Sequence, residues 1–327
     1  MSDAPIVVAV GHTWPDLSIE QQTLGAYARL IDGRPLQPDD PVWAEASAVL
    51  LGTAYKLDPE RMRAMPSCRA IVRYGIGYDN VDIRSAESLG IVVAIVREYC
   101  IEEVAEHALA CALALARALP HWDRNVRSNA WRGGTRPSIR RLSALSLGVI
   151  GFGLIGRGLA RKSKGLFGRI LVHDPIAELS EADRAAGYVI VDTLDELLAE
   201  VDILSVHVPL NEDTRGLIGS DALNRMKASA SVINVSRGGI VDEAALLDAI
   251  RAGRIAGAAL DTFTTEPLRA DDPLVNEPRI LLSPHVAWLS QEAEIDLRRS
   301  AAEEVARTLV GNLPTVPVTR VNSRLSG

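Results

Sequence analysis

Three glycines in the spacing G-x-G-x-x-G, Gly151, Gly153 and Gly156, constrain the fold of this chain more than any other feature. An apolar run at 147–150 leads into them, a helix-compatible segment follows, and a second apolar run at 170–172 ends at Asp174. That order reads as strand, tight turn, helix, strand. In such a unit the first glycine allows the turn and the second lets the backbone approach a pyrophosphate. The third lets the helix pack close to the sheet, with the pyrophosphate on the helix N-terminus. Asp174 follows Gly156 by 18 residues, near the roughly 20-residue separation at which a carboxylate meets the ribose 2′-hydroxyl. The same carboxylate repels a 2′-phosphate, and neither Ile176 nor Ala177 supplies a cation to bind one. The stretch predicts a dinucleotide site that takes NAD(H) in preference to NADP(H).

One nucleotide domain does not fill 327 residues, and 47% apolar residues suffice for two cores. A formal charge of −7 argues against a nucleic-acid backbone or an anionic membrane as the main partner, because both need clustered cations. An anionic substrate must then be held by local positive groups. Cys68, Cys100 and Cys111 are odd in number and lack metal-ligand or disulfide spacing, so they read as buried thiols in a reducing compartment, and no metal site is expected. The N-terminus has no basic region ahead of a signal-like run, and no apolar segment reaches the roughly 18 residues of a membrane span. These features predict a soluble, cytoplasmic protein.

Ahead of the glycine motif, apolar runs at 5–10, 48–51, 70–73 and 91–96 alternate with helix-compatible segments at 58–65 and 84–89. This predicts a second parallel α/β domain. Between its third and fourth expected strands lies Arg73-Tyr74-Gly75-Ile76-Gly77-Tyr78-Asp79-Asn80. Its glycines either permit the turn alone or present amides to an anion. Residues 101–118 read as a long alanine-rich helix leading into the next domain. Residues 121–141, with Trp122, Trp131, six arginines, Gly133, Gly134 and Pro137, read as a loop-like solvated connector. Past the glycine motif, strands at 202–208, 231–235, 256–260 and 279–282 complete a sheet of about six strands, and 290–310 forms one helix that returns the chain to the first domain.

Ligands of open α/β sheets bind beyond the carboxyl ends of the strands. Three polar residues stand just past such ends: Arg237, Glu266 and His285. A guanidinium grips a carboxylate through two parallel bonds, a histidine exchanges a proton near neutral pH, and a glutamate orients and charges that histidine. Together they describe a site for 2-keto or 2-hydroxy acids.

Five motifs in order, Gly151-Phe152-Gly153-Leu154-Ile155-Gly156, Asn234-Val235-Ser236-Arg237-Gly238-Gly239, Gly257-Ala258-Ala259-Leu260-Asp261, Glu266-Pro267 and Ser283-Pro284-His285, resemble those of the D-isomer-specific 2-hydroxyacid dehydrogenases. The resemblance runs from about residue 70 to Asn322. It implies that Arg237 binds substrate and that Glu266 pairs with His285, the acid/base. It implies further that Val104, Leu154, Ile155, Val208, Pro209, Ser236, Asp261 and His285 join the glycines and Asp174 in binding NAD. The segments 71–82 and 284–293 resemble the C-terminal-binding-protein branch, which carries a tryptophan beside the histidine. By that likeness the amides of Ile76 and Gly77 hold the substrate carboxylate, and Arg73 and Trp288 line the pocket, with Tyr74 or Tyr78 as a further apolar wall.

The resemblance implies an α/β fold of two doubly wound parallel-sheet domains, with a Rossmann NAD-binding domain at 101–287 inserted into a flavodoxin-like substrate domain at 1–100 plus 288–327. It implies a homodimer formed through the helix at 101–118, and hydride transfer between NAD(H) and a D-2-hydroxy acid or 2-keto acid. Glyoxylate or hydroxypyruvate reduction, phosphoglycerate oxidation and an NAD(H)-sensing corepressor-like role are the alternatives. The branch's sensors carry extended tails, so a chain ending at Gly327 is expected to be the enzyme rather than the sensor, and phosphoglycerate dehydrogenases often append a regulatory domain.

Overall fold

The computed structural model describes residues 4–25, 27–37, 39–134 and 137–320. The chain divides into two compact units, Met1–Cys100 with Ser290–Gly327, and Ile101–Leu289. The division falls after Leu289, two residues beyond the expected 287, so Trp288 belongs with the second unit.

In the first unit the strands are β1 (Ile6–Val10), β2 (Arg29–Asp32), β3 (Ala46–Leu51), β4 (Ala70–Arg73) and β5 (Val92–Ile95), interleaved with helices α1 (Ser18–Leu24), α2 (Val42–Glu45), α3 (Pro59–Arg63) and α4 (Ile83–Ser88). All pair in parallel, in the order β2-β1-β3-β4-β5, which is the flavodoxin-like order. β1 and β5 are buried along their whole length, as continuous apolar strands covered on both faces must be. The polar strand β2 escaped the sequence reading because it lies at the sheet edge, where Arg29 is exposed and alternation is lost.

The second unit begins with α5 (Ile101–Ala116) and α6 (Leu119–Arg127), followed by β6 (Ser146–Ile150), α7 (Leu154–Ser163), β7 (Arg169–His173), α8 (Glu181–Ala185) and β8 (Tyr188–Ile190). It continues through α9 (Leu194–Glu200), β9 (Ile203–Val206), α10 (Ser220–Arg225), β10 (Ser231–Asn234), α11 (Glu243–Arg251), β11 (Gly257–Leu260) and β12 (Ile280–Leu282). Its sheet is parallel throughout, ordered β12-β11-β10-β9-β6-β7-β8. Seven strands replace the expected six because β8 is a three-residue edge strand. The order reverses between β6 and β9, so the glycine loop after β6 lies where a doubly wound sheet binds its ligand. The core under α9, α10 and α11 holds Leu197, Leu204, Ile218, Leu223, Val232 and Leu246, all fully buried, each contributing about 1.5–3 kcal/mol of transfer free energy.

Part of the segment expected to be a loop is helical. α6 has a proline in its first turn, where the missing N–H costs nothing, and an Asp123–Arg127 ion pair of 2.8 Å on its surface. With no buried residue, it shows no apolar stripe to read. Arg136 of that segment lies outside the described residues.

The final helix, α12 (Gln291–Leu309), is capped by Ser290, whose hydroxyl accepts the Ala293 amide at 2.9 Å. It packs on α1, β3 and β4. Its Arg298 is almost wholly buried and forks onto Glu20 of α1, with Nε to Oε1 at 2.9 Å and Nη2 to Oε2 at 2.8 Å. The Tyr74 hydroxyl donates to the same carboxylate at 3.0 Å, and the guanidinium lies 5.4 Å from the centre of the Trp14 ring. No helix among the described residues is long and apolar enough to cross a membrane.

Candidate active site

The glycine loop takes its shape from three different needs. Gly151 has φ +86°, and a Cβ there would lie 2.7 Å from the His207 carbonyl oxygen. A Cβ on Gly156 would overlap the Gly151 carbonyl, whereas one on Gly153 would meet nothing within 4 Å. The loop is thus closed to the protein and open on the Gly153 side. No side chain caps the N-terminus of α7, so its first-turn amides and positive dipole end are available to an anion. Asp174 spans this turn: Oδ2 accepts the Phe152 amide at 2.7 Å, and Oδ1 accepts those of Ile176 and Ala177 at 3.0 and 3.1 Å. These residues fit a dinucleotide. Of the others expected to line it, Leu154 is exposed and Val104 is buried on α5. Ile155 and Val208 are half-buried and Pro209 is exposed.

Past β10 the chain turns so as to present Arg237. The Asn234 side chain holds this turn at both ends, donating to the Arg237 carbonyl at 2.8 Å and accepting the Ser236 amide at 3.1 Å. Ser236 spends its own hydroxyl on the Val206 carbonyl at 2.8 Å. A Cβ on Gly238 would overlap the Phe263 carbonyl group, so glycine is what allows the arginine turn to lie against the segment that carries Glu266. The Arg237 guanidinium donates to the Ser236 carbonyl at 2.8 Å, and its charge acts on Glu266.

The Nδ1 atom of His285 is 2.8 Å from Oε2 of Glu266, whose Oε1 accepts the Phe263 amide at 2.9 Å. Partial burial opposes ionisation of Glu266. The bond to His285, the Phe263 N–H and the charges of His285 and Arg237 outweigh it and hold the carboxyl below the usual range. His285 itself has φ +55°, a left-handed backbone that a non-glycine residue keeps only when its surroundings fix it. Those surroundings converge on buried Asp261, whose carbonyl accepts the His285 amide at 2.8 Å. Its carboxylate accepts the Ser283 hydroxyl at 2.6 Å and the amides of Val286 and Ala287 at 3.0 and 2.9 Å. Asp261, expected at the cofactor, is therefore engaged with the histidine loop. Trp288, three residues further on, is half-buried.

The remaining candidates lie in the first unit. Arg73 ends β4 and donates to the Tyr74 carbonyl, Gly75 has φ +116°, and the amides of Ile76 and Gly77 are bonded to no other described residue. Tyr74, suggested as a pocket wall, is instead turned into the core and bonded to Glu20, because a buried phenol needs a partner. Tyr78 is exposed. All three cysteines are buried, and none of them forms a disulfide.

Sequence reasoning missed His107 of α5, whose Nε2 is 3.0 Å from the Ser283 hydroxyl, and His207 at the end of β9. Burial pushes His207 down to about 4, and its Nε2 meets Ser205 at 2.8 Å. A helical histidine between Glu106 and Ala108 carries no local signal, whereas His207 stands past a strand end and could have been read.

Residues 109–287 match the family described as D-isomer specific 2-hydroxyacid dehydrogenase, NAD binding domain. The chain is 38% identical over 262 residues to the glyoxylate reductase of Korarchaeum cryptofilum, covering 79% of this chain and 78% of that protein. It is 37% identical over 276 residues to the D-3-phosphoglycerate dehydrogenase of Archaeoglobus fulgidus, covering 82% and 52%. The chain spans about half the length of the phosphoglycerate dehydrogenases it matches. Its fold is similar, with a TM-score of 0.84, to the NADPH-dependent glyoxylate/hydroxypyruvate reductase of Sinorhizobium meliloti solved with NADP and malonate, at 29% identity and covering 98% and 99% of the two chains. These relatives are reductases and phosphoglycerate dehydrogenases rather than members of the C-terminal-binding-protein branch. On the extent of these matches, the chain belongs to the D-isomer specific 2-hydroxyacid dehydrogenases.

Proposed function

We propose that this protein reduces a small 2-keto acid to the D-2-hydroxy acid with NADH. The observation that carries the reading is the hydrogen bond between His285 Nδ1 and Glu266, a carboxylate held ionised beside Arg237. Because Nδ1 is engaged, Nε2 is the nitrogen left to deliver a proton to the keto oxygen. Ionised Glu266 stabilises the imidazolium that must hold this proton beforehand. Arg237 offers a planar fork to the substrate carboxylate and polarises the keto group. In the first unit the amides of Ile76 and Gly77, next to Arg73, are of a kind that binds a carboxylate, and in the second unit Trp288 follows His285 by three residues. Gly151, Gly153, Gly156 and the α7 N-terminus would hold the dinucleotide, which would supply the hydride. Asp174 accepts its ribose hydroxyls, which favours NADH although the Sinorhizobium meliloti relative is NADPH-dependent.

Likeness to a glyoxylate reductase and to a glyoxylate/hydroxypyruvate reductase supports glyoxylate and hydroxypyruvate as substrates. A homodimer through α5 follows from the family alone. Trp288 beside His285 favours a second reading, an NAD(H) sensor of the C-terminal-binding-protein kind. A panel of 2-keto acids, assayed by consumption of NADH and of NADPH, tests both. Turnover of glyoxylate or hydroxypyruvate with NADH preferred is expected. Tight NADH binding without turnover of any member would replace the enzyme by the sensor.

A further inference from the structure

His107 lies on α5, remote in sequence from every motif of the site, yet its ring is tied to the loop that carries His285. The order of donors along this tie is fixed. The Ser283 hydroxyl is 2.6 Å from Asp261 Oδ1, and a carboxylate only accepts, so the serine proton points at Asp261. The serine oxygen is then the acceptor for His107 Nε2 at 3.0 Å, which must carry hydrogen. The chain runs His107 Nε2–H to Ser283 Oγ–H to Asp261 Oδ1.

Asp261 is 2% exposed, and a buried carboxylate is costly unless every lone pair and the charge are matched. Oδ1 accepts from Ser283 and Val286, and Oδ2 accepts from Ala287. Among the described residues the side chain paired with its charge is His107, with Nε2 3.8 Å from Oδ1. The carboxylate's field reaches α5: Cys111, one turn beyond His107, is pushed up to about 11 by burial and then by Asp261. Ser283 precedes His285 by two residues, Val286 and Ala287 follow it, and the His285 amide is on the Asp261 carbonyl. The His285 amide also reaches the Ser283 carbonyl at 3.1 Å, so Asp261 and Ser283 together hold the left-handed His285 backbone. The charged group bonded to His285 is Glu266, on which the charge of Arg237 also acts.

We propose that His107 is a positioning residue for His285, acting through the Ser283 hydroxyl and the Asp261 carboxylate to keep His285 Nδ1 on Glu266. The proposal rests on His285 being the acid/base, and it needs a readout besides turnover. That readout is the pair of 15N resonances of the His285 ring in the free protein, assigned with His285→Gln and recorded where the imidazole is neutral. In the wild type the Nδ1–H tautomer should predominate, since Nδ1 donates to Glu266. His107→Phe and His107→Gln both remove the second imidazole, but only glutamine keeps an N–H donor within reach of Ser283. His107→Phe should mix the tautomers and lower kcat/KM for the 2-keto acid about tenfold, the loss of roughly one hydrogen bond, while the Kd for NADH changes less. His107→Gln should keep the wild-type tautomer and stay within about twofold in kcat/KM. Ser283→Ala cuts the tie at its other end and should reproduce the phenylalanine result, so a variant that fails to fold leaves the test standing. Wild-type 15N patterns in both His107→Phe and Ser283→Ala would overturn the proposal. If the wild type turns over no keto acid, the proposed function fails, and the tautomer comparison still decides the role of His107.

Discussion

His285 Nδ1 and Glu266 Oε2 stand 2.8 Å apart, and the second oxygen of that carboxylate is held by the Phe263 amide. The glutamate is therefore oriented by the backbone before it orients the histidine.

This order of dependence makes a pH test possible. The Glu266 carboxyl is held below its ordinary range, so it is ionised throughout the neutral region and loses its charge only at acid pH. Glu266→Gln keeps the shape and removes the charge. The imidazolium loses its stabilisation, and the kcat/KM profile for keto-acid reduction should move to lower pH, with a loss of about tenfold near pH 7 for each unit of displacement. Oxidation of the hydroxy acid, which needs neutral His285, should move the same way and lose less. Superimposable profiles for wild type and variant would show that Glu266 does not govern the charge of His285.

Two glycines of the nucleotide loop should respond oppositely to the same methyl group. Gly156→Ala forces a Cβ into the Gly151 carbonyl and should lower stability by about 1–3 kcal/mol, read as a fall in Tm. Gly153→Ala meets nothing within 4 Å and should leave Tm nearly unchanged while weakening NADH binding, because its methyl occupies the side from which a pyrophosphate approaches. Equal effects of the two on NADH affinity and on Tm would contradict this division.

Asp174 serves the loop as well as the ligand, since its Oδ2 accepts the Phe152 amide at 2.7 Å. Asp174→Ala should narrow the preference for NADH over NADPH and also weaken the binding of both, as the glycine loop loses a backbone anchor worth about 1 kcal/mol. Measured dissociation constants for the two cofactors separate these effects. A variant that keeps full NADH affinity would remove the loop role, and one that keeps the wild-type ratio would remove the ribose role.

Arg298 and Glu20 form a buried fork across the first unit. Arg298→Met leaves the carboxylate, with the Tyr74 hydroxyl still on it, in an apolar site without its cation, which should cost about 3–5 kcal/mol. The double variant Arg298→Met/Glu20→Leu should recover much of that loss. Denaturant unfolding of the three proteins gives the comparison, and additive losses would show that the pair is not coupled.

The parts legible in the sequence are those where physics acts locally. Gly151, Gly153 and Gly156 announce a turn because each sits where a side chain is excluded or a phosphate is admitted. Arg237, Glu266 and His285 could be picked out because each polar residue lies within three to six residues of the end of an apolar strand. Edge strands β2 and β8 are short and half-solvated, so alternation fades, and α6 carries no apolar stripe because it buries nothing. Nothing local to Glu20 or Arg298 marks a pair 278 residues apart. The same holds for His107 and Ser283, separated by 176.

The Arg298–Glu20 fork also sets a timetable for synthesis. Residues 101–289 leave the ribosome as a continuous stretch holding every strand of their own sheet, so the second unit has all it needs to fold while the chain is still growing. The first unit, begun earlier, waits for α12 through the synthesis of that whole stretch, roughly 10–40 s at about 5–20 residues per second. During that interval Glu20 has no arginine, and the faces of α1, β3 and β4 that α12 will cover are open to solvent and to other chains. The unit that starts first is thus the unit that finishes last, and the nascent protein is most exposed to misassembly just before its final helix arrives.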